Sequence, residues 1–263
     1  MKREMILEET RGGVCTLTMN RPAARNAFNS QQWRELRDAL AAAADDNGVR
    51  VVILTGAGDA FTAGQDLSEM AIPSGANQGD AGDHPFASCL KQLVAFDKPL
   101  LAAVNGVGVG FGLTVLLHCD MVYIAQGARL RVPFVSLGVV PEAASSYLLP
   151  LRVGHQNAAE ILFTAGWLSS AQAVEVGLAL RELPRAELLP AIHELADRIA
   201  VHPLGSLRHT KRLVQAAHGD AIRSARLRED EAFVQRIGSP ENVEAVRAFF
   251  EKRPPDFSNI DPS

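Results

Sequence analysis

The sequence is poor in cysteine and aromatic residues, and it has no excess of positive charge. Of its 263 residues, 3 are cysteines and 6% are aromatic, and 26 Lys and Arg stand against 30 Asp and Glu. Cys15, Cys89 and Cys119 lie far apart and form no C-x-x-C pair. This spacing argues against a disulfide framework and a zinc site, and it is typical of reduced intracellular thiols. The net charge of −4 argues against a nucleic-acid-binding protein, which would carry a basic surface.

Long apolar segments and metal-binding histidine pairs are also missing. Apolar runs are interrupted by Gly, Asn, His or Asp before they reach about 18 residues, the length of a membrane span. The first ten residues, MKREMILEET, lack the apolar centre of a signal peptide. No H-x-x-x-H or H-E-x-x-H pair is present, so we expect no metal site. The basic residues at 208–212 and 223–228 recur at spacings of three to five on predicted helices, which is typical of solvated faces or subunit contacts. We expect a cytoplasmic globular domain of the size of an enzyme, without a membrane or nucleic-acid partner.

The hydrophobic pattern alternates between strands and helices before it becomes mainly helical. It predicts strands at 14–19, 49–54, 100–104, 121–125 and 129–134, and helices at 30–45, 113–118, 156–165, 169–176, 186–200, 204–217, 220–236 and 240–252. The Gly-, Pro- and Ser-rich stretch 71–85 predicts a mobile loop. This order predicts an α/β core followed by a helical region. Because a proline disfavours helix in the residue before it, we place the division at His202-Pro203, giving 1–201 and 202–263.

Two turns rich in small residues follow predicted strands. Residues 106–112 read Gly-Val-Gly-Val-Gly-Phe-Gly, but in either register Phe111 or Leu113 occupies the third glycine of a dinucleotide-binding fingerprint. The alternating glycines therefore indicate either close approach of the backbone to a ligand or tight helix–sheet packing. The turn at 61–67 could supply a second set of backbone donors, since two converging N–H groups suffice for an oxyanion hole.

Glu142 is a lone carboxylate between the apolar pairs 139–140 and 143–144. Burial among them would raise its pKa, as a general base acting on a weakly acidic carbon requires. Alternatively, it is a solvent-exposed glutamate in the first turn of a helix after Pro141, where the helix dipole favours a negative charge. The local pattern alone leaves both interpretations open and gives more weight to the exposed glutamate.

Five segments carry a resemblance that extends over nearly the whole chain. They are Leu17-Thr-Met-Asn-Arg-Pro22 with Asn26-Ala-Phe28, Phe61-Thr-Ala-Gly-Gln-Asp-Leu67, Ala103-Val-Asn-Gly106 through Cys119-Asp120, Leu168-Ser-Ser-Ala-Gln-Ala173, and Ala248-Phe-Phe-Glu-Lys-Arg253. Each motif is loose, but their joint order is specific. The sequence resembles the enoyl-CoA hydratase/isomerase (crotonase) family.

The resemblance implies a crotonase-like spiral of ββα repeats with a C-terminal helical oligomerisation region. It also implies an acyl-CoA thioester substrate, no cofactor other than the coenzyme A of the substrate, and a homotrimer or a dimer of trimers. Residue-by-residue matching gives the backbone N–H groups of Gln65 and Phe111 as oxyanion donors. The same matching gives a coenzyme A site lined by Ala63, Asp66, Leu67, Phe249 and Lys252. A cation there would suit the phosphates of the ligand.

One departure from the family pattern bears on the reaction. Hydratases of the family use two glutamates, and the matching positions here are Thr114 and Phe134, neither of which can act as a carboxylate base. The segments 132–138 and 141–147 resemble peroxisomal-type Δ3,Δ2-enoyl-CoA isomerases, whose single catalytic glutamate matches Glu142. With this context the buried, catalytic Glu142 becomes the favoured interpretation.

The sequence thus predicts a Δ3,Δ2-enoyl-CoA isomerase. Leu113, Thr114, Phe134 and the 71–85 loop are expected to shape its acyl pocket. The alternatives are an enoyl-CoA hydratase or another reaction of the family, and a non-catalytic protein that binds acyl-CoA.

Overall fold

The computed structural model describes residues 3–70 and 84–260, which form two β-sheets with helices packed around them. The strands in chain order are β1 (Ile6–Arg11), β2 (Val14–Met19), β3 (Val51–Gly56), β4 (Ala60–Thr62), β5 (Leu100–Val104), β6 (Val107–Val109), β7 (Met121–Ala125), β8 (Arg129–Arg131), β9 (Leu168–Ser169) and β10 (Arg181–Leu183). Six strands pair in the order β1-β2-β3-β5-β7-β10, and four pair in the order β4-β6-β8-β9.

The helices alternate with these strands and then dominate the C-terminal part. They are α1 (Ser30–Asp45), α2 (Leu67–Met70), α3 (Pro85–Ala95), α4 (Phe111–Thr114), α5 (Ser145–Val153), α6 (His155–Thr164), α7 (Ser170–Glu175), α8 (Arg185–Ala200), α9 (Leu204–Ala216), α10 (Gly219–Arg236) and α11 (Pro240–Phe250). None of the helices within the two described ranges combines the length and the apolarity that a membrane crossing would need.

The two sheets arise from a repeated unit. β3, β5 and β7 lie side by side and parallel in the large sheet, and each is followed by a strand of the small sheet, β4, β6 or β8. Helical segments follow before the chain re-enters the large sheet at β5, β7 and β10, the last after the short strand β9 of the small sheet. This pattern confirms the predicted spiral of ββα repeats.

The central strands are buried on both faces, as their continuous apolar sequence requires. Every residue of β3 and β5 is buried. Parallel strands covered on both sides read as unbroken apolar runs, which is why these two were recognisable in the sequence. α8 packs across β3, β5 and β7, and α1 packs against α3 and the first strands.

Several predicted boundaries were wrong, and some elements were not foreseen. Strand 49–54 lies two residues later as β3, and strand 129–134 ends at Arg131. Helix 113–118 begins earlier, as α4, and continues as a 3-10 turn at Val115–His118. β6 was missed because a Val-Gly-Val segment has weak strand character. Of the predicted loop 71–85, residues 71–83 lie outside the described residues, and Pro85 already belongs to α3.

The C-terminal helices are attached to the core by ion pairs. Arg208 and Arg212 of α9 both bind the carboxylate of Asp97. The Lys211 Nζ donates to Asp120 at 2.9 Å and to a backbone carbonyl of the core. α8 and α9 are separated by the predicted His202-Pro203 junction, while α10 packs on α5. The domain boundary itself stays a prediction.

Candidate active site

The predicted oxyanion donor Gln65 lies in an extended segment that follows β4. This segment forms an isolated parallel bridge with Phe28, whose N–H donates to the Gly64 carbonyl at 2.7 Å. The N–H of Asp66 in turn donates to the Phe28 carbonyl at 2.9 Å. Because successive N–H groups of an extended strand point to opposite sides, the N–H of Gln65 points away from Phe28. The N–H of Gln65 is therefore free to donate a hydrogen bond to an acceptor on the side of the segment opposite to Phe28.

The second predicted donor, Phe111, is the first residue of α4. Gly110 precedes it with a φ of 54°, a left-handed conformation that favours glycine. The N–H groups of Leu113 and Thr114 donate to the Gly110 carbonyl at 2.9 and 3.0 Å. The N–H of Phe111 lies before these and, as a first-turn group, has no acceptor within its own helix. It is thus a backbone donor at the end of the Gly-rich segment.

Gly64 brings the two donor segments into direct contact. A Cβ atom at Gly64 would lie 2.4 Å from the carbonyl oxygen of Val109 and 3.3 Å from the backbone nitrogen of Phe111. Its φ of +80° is also a conformation that other residues rarely adopt. Only glycine therefore allows the Gln65 segment to pack this closely against the start of α4.

An aromatic cluster fixes both donor segments from the α1 side. The Trp33 ring lies 4.6 Å from the Phe111 ring and 5.0 Å from the Phe86 ring, measured between centroids. Trp33 also donates from Nε1 to the Gln65 side-chain oxygen at 2.9 Å. Trp33 lies within the predicted helix 30–45 but was not among the predicted site residues, and neither was Phe86. Their link to the site depends on contacts between distant segments.

Glu142 lies next to Thr114, not in open solvent. It is half-buried in the turn before α5, and the Thr114 hydroxyl donates to its Oε1 at 3.2 Å. Burial raises the pKa of this carboxyl to about 7, and the negative charge of Glu229 adds to the rise, whereas the Thr114 hydrogen bond opposes it. The alternative of an exposed glutamate in the first turn of a helix is wrong, because α5 begins only at Ser145.

Two side chains from other elements hold the backbone after Glu142. Ala143 and Ala144 both adopt left-handed conformations, with φ of 58° and 60°. His118 Nε2 bonds to the Ala143 carbonyl at 2.8 Å. The carboxylate of Glu229, on α10, accepts the N–H groups of Ala144 and Ser146 at 2.6 and 2.7 Å. No local motif in the sequence indicated either partner.

Three residues predicted to bind coenzyme A lie beside Gln65. Ala63 donates its N–H to the Arg25 carbonyl at 2.9 Å, and Asp66 accepts from the Arg21 guanidinium at 3.2 Å. Leu67 begins α2. These residues share one segment with the donor, and their binding roles stay predictions.

The other predicted pocket residues divide between the core and the surface. Leu113 and Phe134 are buried in the hydrophobic core. Phe249 is 57% exposed on α11, and Lys252 follows the end of that helix in an exposed, left-handed conformation. α11 packs against the 3-10 turn next to Phe134. Contact of Phe249 and Lys252 with a ligand stays a prediction. Among the described residues, no three His, Cys, Asp or Glu side chains cluster as a metal site would require.

Comparison with known proteins identifies the family. A family profile described as "Enoyl-CoA hydratase/isomerase" matches residues 9–260. The chain belongs to the enoyl-CoA hydratase/isomerase (crotonase) family. It resembles the crystal structure of an enoyl-CoA hydratase/isomerase from Pseudoalteromonas atlantica T6c with a TM-score of 0.90 and 36% identity, covering 97% of this chain and 100% of that one.

The relatives of this enoyl-CoA hydratase/isomerase family member include proteins named as hydratases and proteins named as isomerases. It is 34% identical over 245 residues to the 2,3-dehydroadipyl-CoA hydratase of Escherichia coli, covering 93% of this chain and 94% of that protein. It is 31% identical over 251 residues to enoyl-CoA delta isomerase 2 of Rattus norvegicus, covering 95% of this chain and 64% of that protein. The chain is thus an enzyme of this family, and the names alone do not separate hydratase from isomerase.

Proposed function

We propose that the protein is a Δ3,Δ2-enoyl-CoA isomerase that uses Glu142 as its only acid–base group. The observation that carries the proposal is the pairing of Glu142 with Thr114. One carboxyl with a pKa of about 7 meets a hydroxyl at the position where hydratases of the family would have a glutamate. Phe134, at the other such position, is buried and cannot titrate. These two positions favour a reaction that needs only one carboxylate.

A 3-enoyl thioester suits such a site because its C2 proton lies between a carbonyl and a double bond. In the proposed reaction the ionised Glu142 takes this proton, and the electron pair of the C2–H bond moves into a dienolate. The negative charge collects on the thioester oxygen, where the N–H groups of Gln65 and Phe111 would bind it. Losing one such preorganised donor typically costs about 3–4 kcal/mol of transition-state stabilisation.

The same carboxyl then returns the proton at C4. The C3=C4 electron pair forms the new C4–H bond, and the double bond comes to lie between C2 and C3. Atoms and electrons balance without water, metal or redox cofactor. A pKa of about 7 suits both steps, because at neutral pH the group can accept and release a proton with little free-energy penalty.

The predicted oligomer, a homotrimer or a dimer of trimers, also belongs to this proposal. Helices α9 and α10 expose large apolar side chains that would be expected to contact other subunits: Leu213, Val214, Leu227 and Val234. Where such side chains form a contiguous patch, they mark a protein interface. Sedimentation of the purified protein would give the number of subunits.

The test of the function is Glu142→Gln combined with a thioester screen. We expect the parent protein to convert 3-enoyl-CoA to its conjugated 2-enoyl isomer, which gains ultraviolet absorbance. The variant should lose at least about 10²-fold in kcat, while a calorimetric titration with a saturated acyl-CoA still shows binding. Isomerisation by the variant near the parent rate would remove Glu142 from the mechanism.

Hydration is the second candidate, because several relatives have hydratase names. It would be recognised by the loss of conjugated enoyl absorbance when the protein is given 2-enoyl-CoA in water. Binding of acyl-CoA without turnover of any enoyl isomer would instead favour a non-catalytic binding protein.

A further inference from the structure

Glu229 caps a helix that is not its own. It lies on α10, it is 6% exposed, and each of its carboxylate oxygens accepts one backbone N–H at the start of α5. The N-cap residue of α5 is Ala144, whose side chain cannot accept a hydrogen bond. Glu229 therefore satisfies donors that the local sequence leaves open.

The capped segment is the one that carries Glu142. Ala143 and Ala144 lie in the left-handed region, which is sterically unfavourable for an alanine. Such a conformation persists only where the surroundings hold it. Glu229 holds Ala144 from the α10 side, and His118 holds the Ala143 carbonyl from the core side.

His118 is a neutral member of this arrangement. A carbonyl oxygen can only accept, so Nε2 of His118 carries the proton that it donates to Ala143. Burial, together with the charges of Arg226, Lys211 and Arg152, lowers the pKa of His118 to about 4, although its hydrogen bond to Ala143 opposes the shift. The histidine therefore stays uncharged at neutral pH and contributes a fixed hydrogen bond.

We propose that Glu229 is a positioning residue for proton transfer by Glu142. Its two hydrogen bonds fix the left-handed turn after Glu142 and so fix the carboxyl against Thr114, and its charge acts on the ionisation of that carboxyl. The inference rests on the proposed function, in which Glu142 carries the proton. Glu229 itself does not need to touch the substrate.

The charge of Glu229 adds to its geometric role. The surroundings of Glu142 comprise the neutral Thr114 from α4, the neutral His118 and, on α10, the carboxylate of Glu229. Arg226 and Asp230 on the same helix act on His118 and on Glu229 respectively. The negative charge of Glu229 therefore raises the pKa of Glu142, in addition to the larger effect of burial.

The test is Glu229→Gln, with Glu231→Gln as the matched control. Glu231 is exposed on the same helix, so its replacement makes the same chemical change outside the turn. Glutamine offers only one acceptor oxygen to the two N–H groups and removes the charge.

We expect kcat of Glu229→Gln to fall about tenfold or more, with KM within about twofold of the parent value. The acidic limb of the pH profile should move to lower pH, because Glu142 then ionises more easily. The control should leave both unchanged.

A folded Glu229→Gln protein with the kcat and acidic limb of the parent would overturn the proposal. If that variant does not fold, Glu229→Gln is combined with Ala144→Gly, since glycine adopts the left-handed conformation without the steric cost. The folded double variant should still show the shifted acidic limb, which a purely structural role of Glu229 would not produce. Failure of the double variant to fold, or an unshifted limb, would assign Glu229 to the fold alone.

Glu142→Gln separates this inference from the proposed function. Full activity of Glu142→Gln would refute the proposed function whatever Glu229 does. Loss of activity in Glu142→Gln together with parent-like behaviour of Glu229→Gln would refute only the positioning role.

Discussion

The Thr114 hydroxyl donates to the carboxylate of Glu142 across 3.2 Å, linking the end of α4 to the turn before α5. The bond favours the ionised form of Glu142, whereas burial and the charge of Glu229 favour the protonated form. The outcome is a pKa of about 7, so both forms are populated at neutral pH. This balance is what a group that takes and returns a proton needs.

We expect Thr114→Val to move the acidic limb of the kcat/KM profile to higher pH. Valine keeps the shape of the side chain but removes the donor, so the ionised carboxylate loses a bond worth about 1.5–3 kcal/mol. Activity at pH 6 should fall about tenfold or more, with a smaller loss at pH 9. Thr114→Ser, which keeps the hydroxyl, is the control. Superimposable profiles for the valine variant and the parent would show that this bond does not influence the base.

The raised pKa of Glu142 also predicts how stability depends on pH. Because the folded carboxyl binds its proton more tightly than the unfolded one, stability falls as the pH rises from about 4.5 to about 7. The gap between these two values corresponds to roughly 3 kcal/mol. Glu142→Gln stays neutral, so it should be more stable than the parent at pH 8.5 and differ least at pH 5.

Urea unfolding of both proteins at pH 5 and pH 8.5 measures this difference. Glu231→Gln, an exposed change of the same kind, should show no such pH dependence. If the stability gap between Glu142→Gln and the parent were the same at both pH values, Glu142 would not carry the raised pKa.

The sequence predicted the α/β core because its signals are local, whereas the repeat architecture was implied by the family resemblance. Buried parallel strands read as continuous apolar runs, and α1 was foreseen with its observed bounds, since Trp33, Leu36 and Leu40 recur at helical spacing. β6 escaped prediction because its central residue is a glycine. A Cβ there would lie 2.7 Å from the side chain of Leu130, its partner on the neighbouring strand β8. Tight packing, one of the two alternatives for the Gly-rich segment, is thus observed, while close approach of its backbone to a ligand stays a prediction.

The candidate site was only partly readable for a related reason. Gln65, Phe111 and Glu142 were identified because they lie in motifs that resemble the family. The groups that orient them come from far along the chain: Glu229 is 85 residues from Ala144, and Trp33 is 32 residues from Gln65. A single sequence contains no signal for such pairs. Only the fold shows that they meet.

We expect Gly64→Ala to remove activity while the protein still folds. The added Cβ would meet the Val109 carbonyl at 2.4 Å and force the Gln65 segment away from the start of α4. Separating two oxyanion donors should cost about 10²–10³-fold in kcat, as the loss of one donor does.

Gly127→Ala is the control for this prediction. Gly127 has a similar φ of +78°, but nothing lies within 4 Å of its missing Cβ. Both variants should therefore lose stability through backbone strain, by about 1–2 kcal/mol. Only Gly64→Ala should lose activity beyond what that strain explains. Equal kcat values for the two variants would argue against donors on both segments.

Trp33 can report ligand binding at the site without any reaction. The chain has 2 tryptophans. Trp33 is 1% exposed and donates to Gln65, whereas Trp167 is 43% exposed beside Arg129. In Trp167→Phe all tryptophan emission comes from Trp33. Adding a saturated acyl-CoA to this variant should change the emission. The thioester oxygen would bind the N–H of Gln65, and the Trp33 ring donates a hydrogen bond to the side chain of that same residue.

The same titration should succeed in Trp167→Phe combined with Glu142→Gln, since the base is not needed for binding. It should fail in Trp33→Phe, where the exposed Trp167 is the remaining fluorophore. An acyl-CoA that binds calorimetrically but leaves the Trp33 emission unchanged would place the ligand away from Gln65. Because Trp33 also packs on Phe111, such a result would count against both predicted donors.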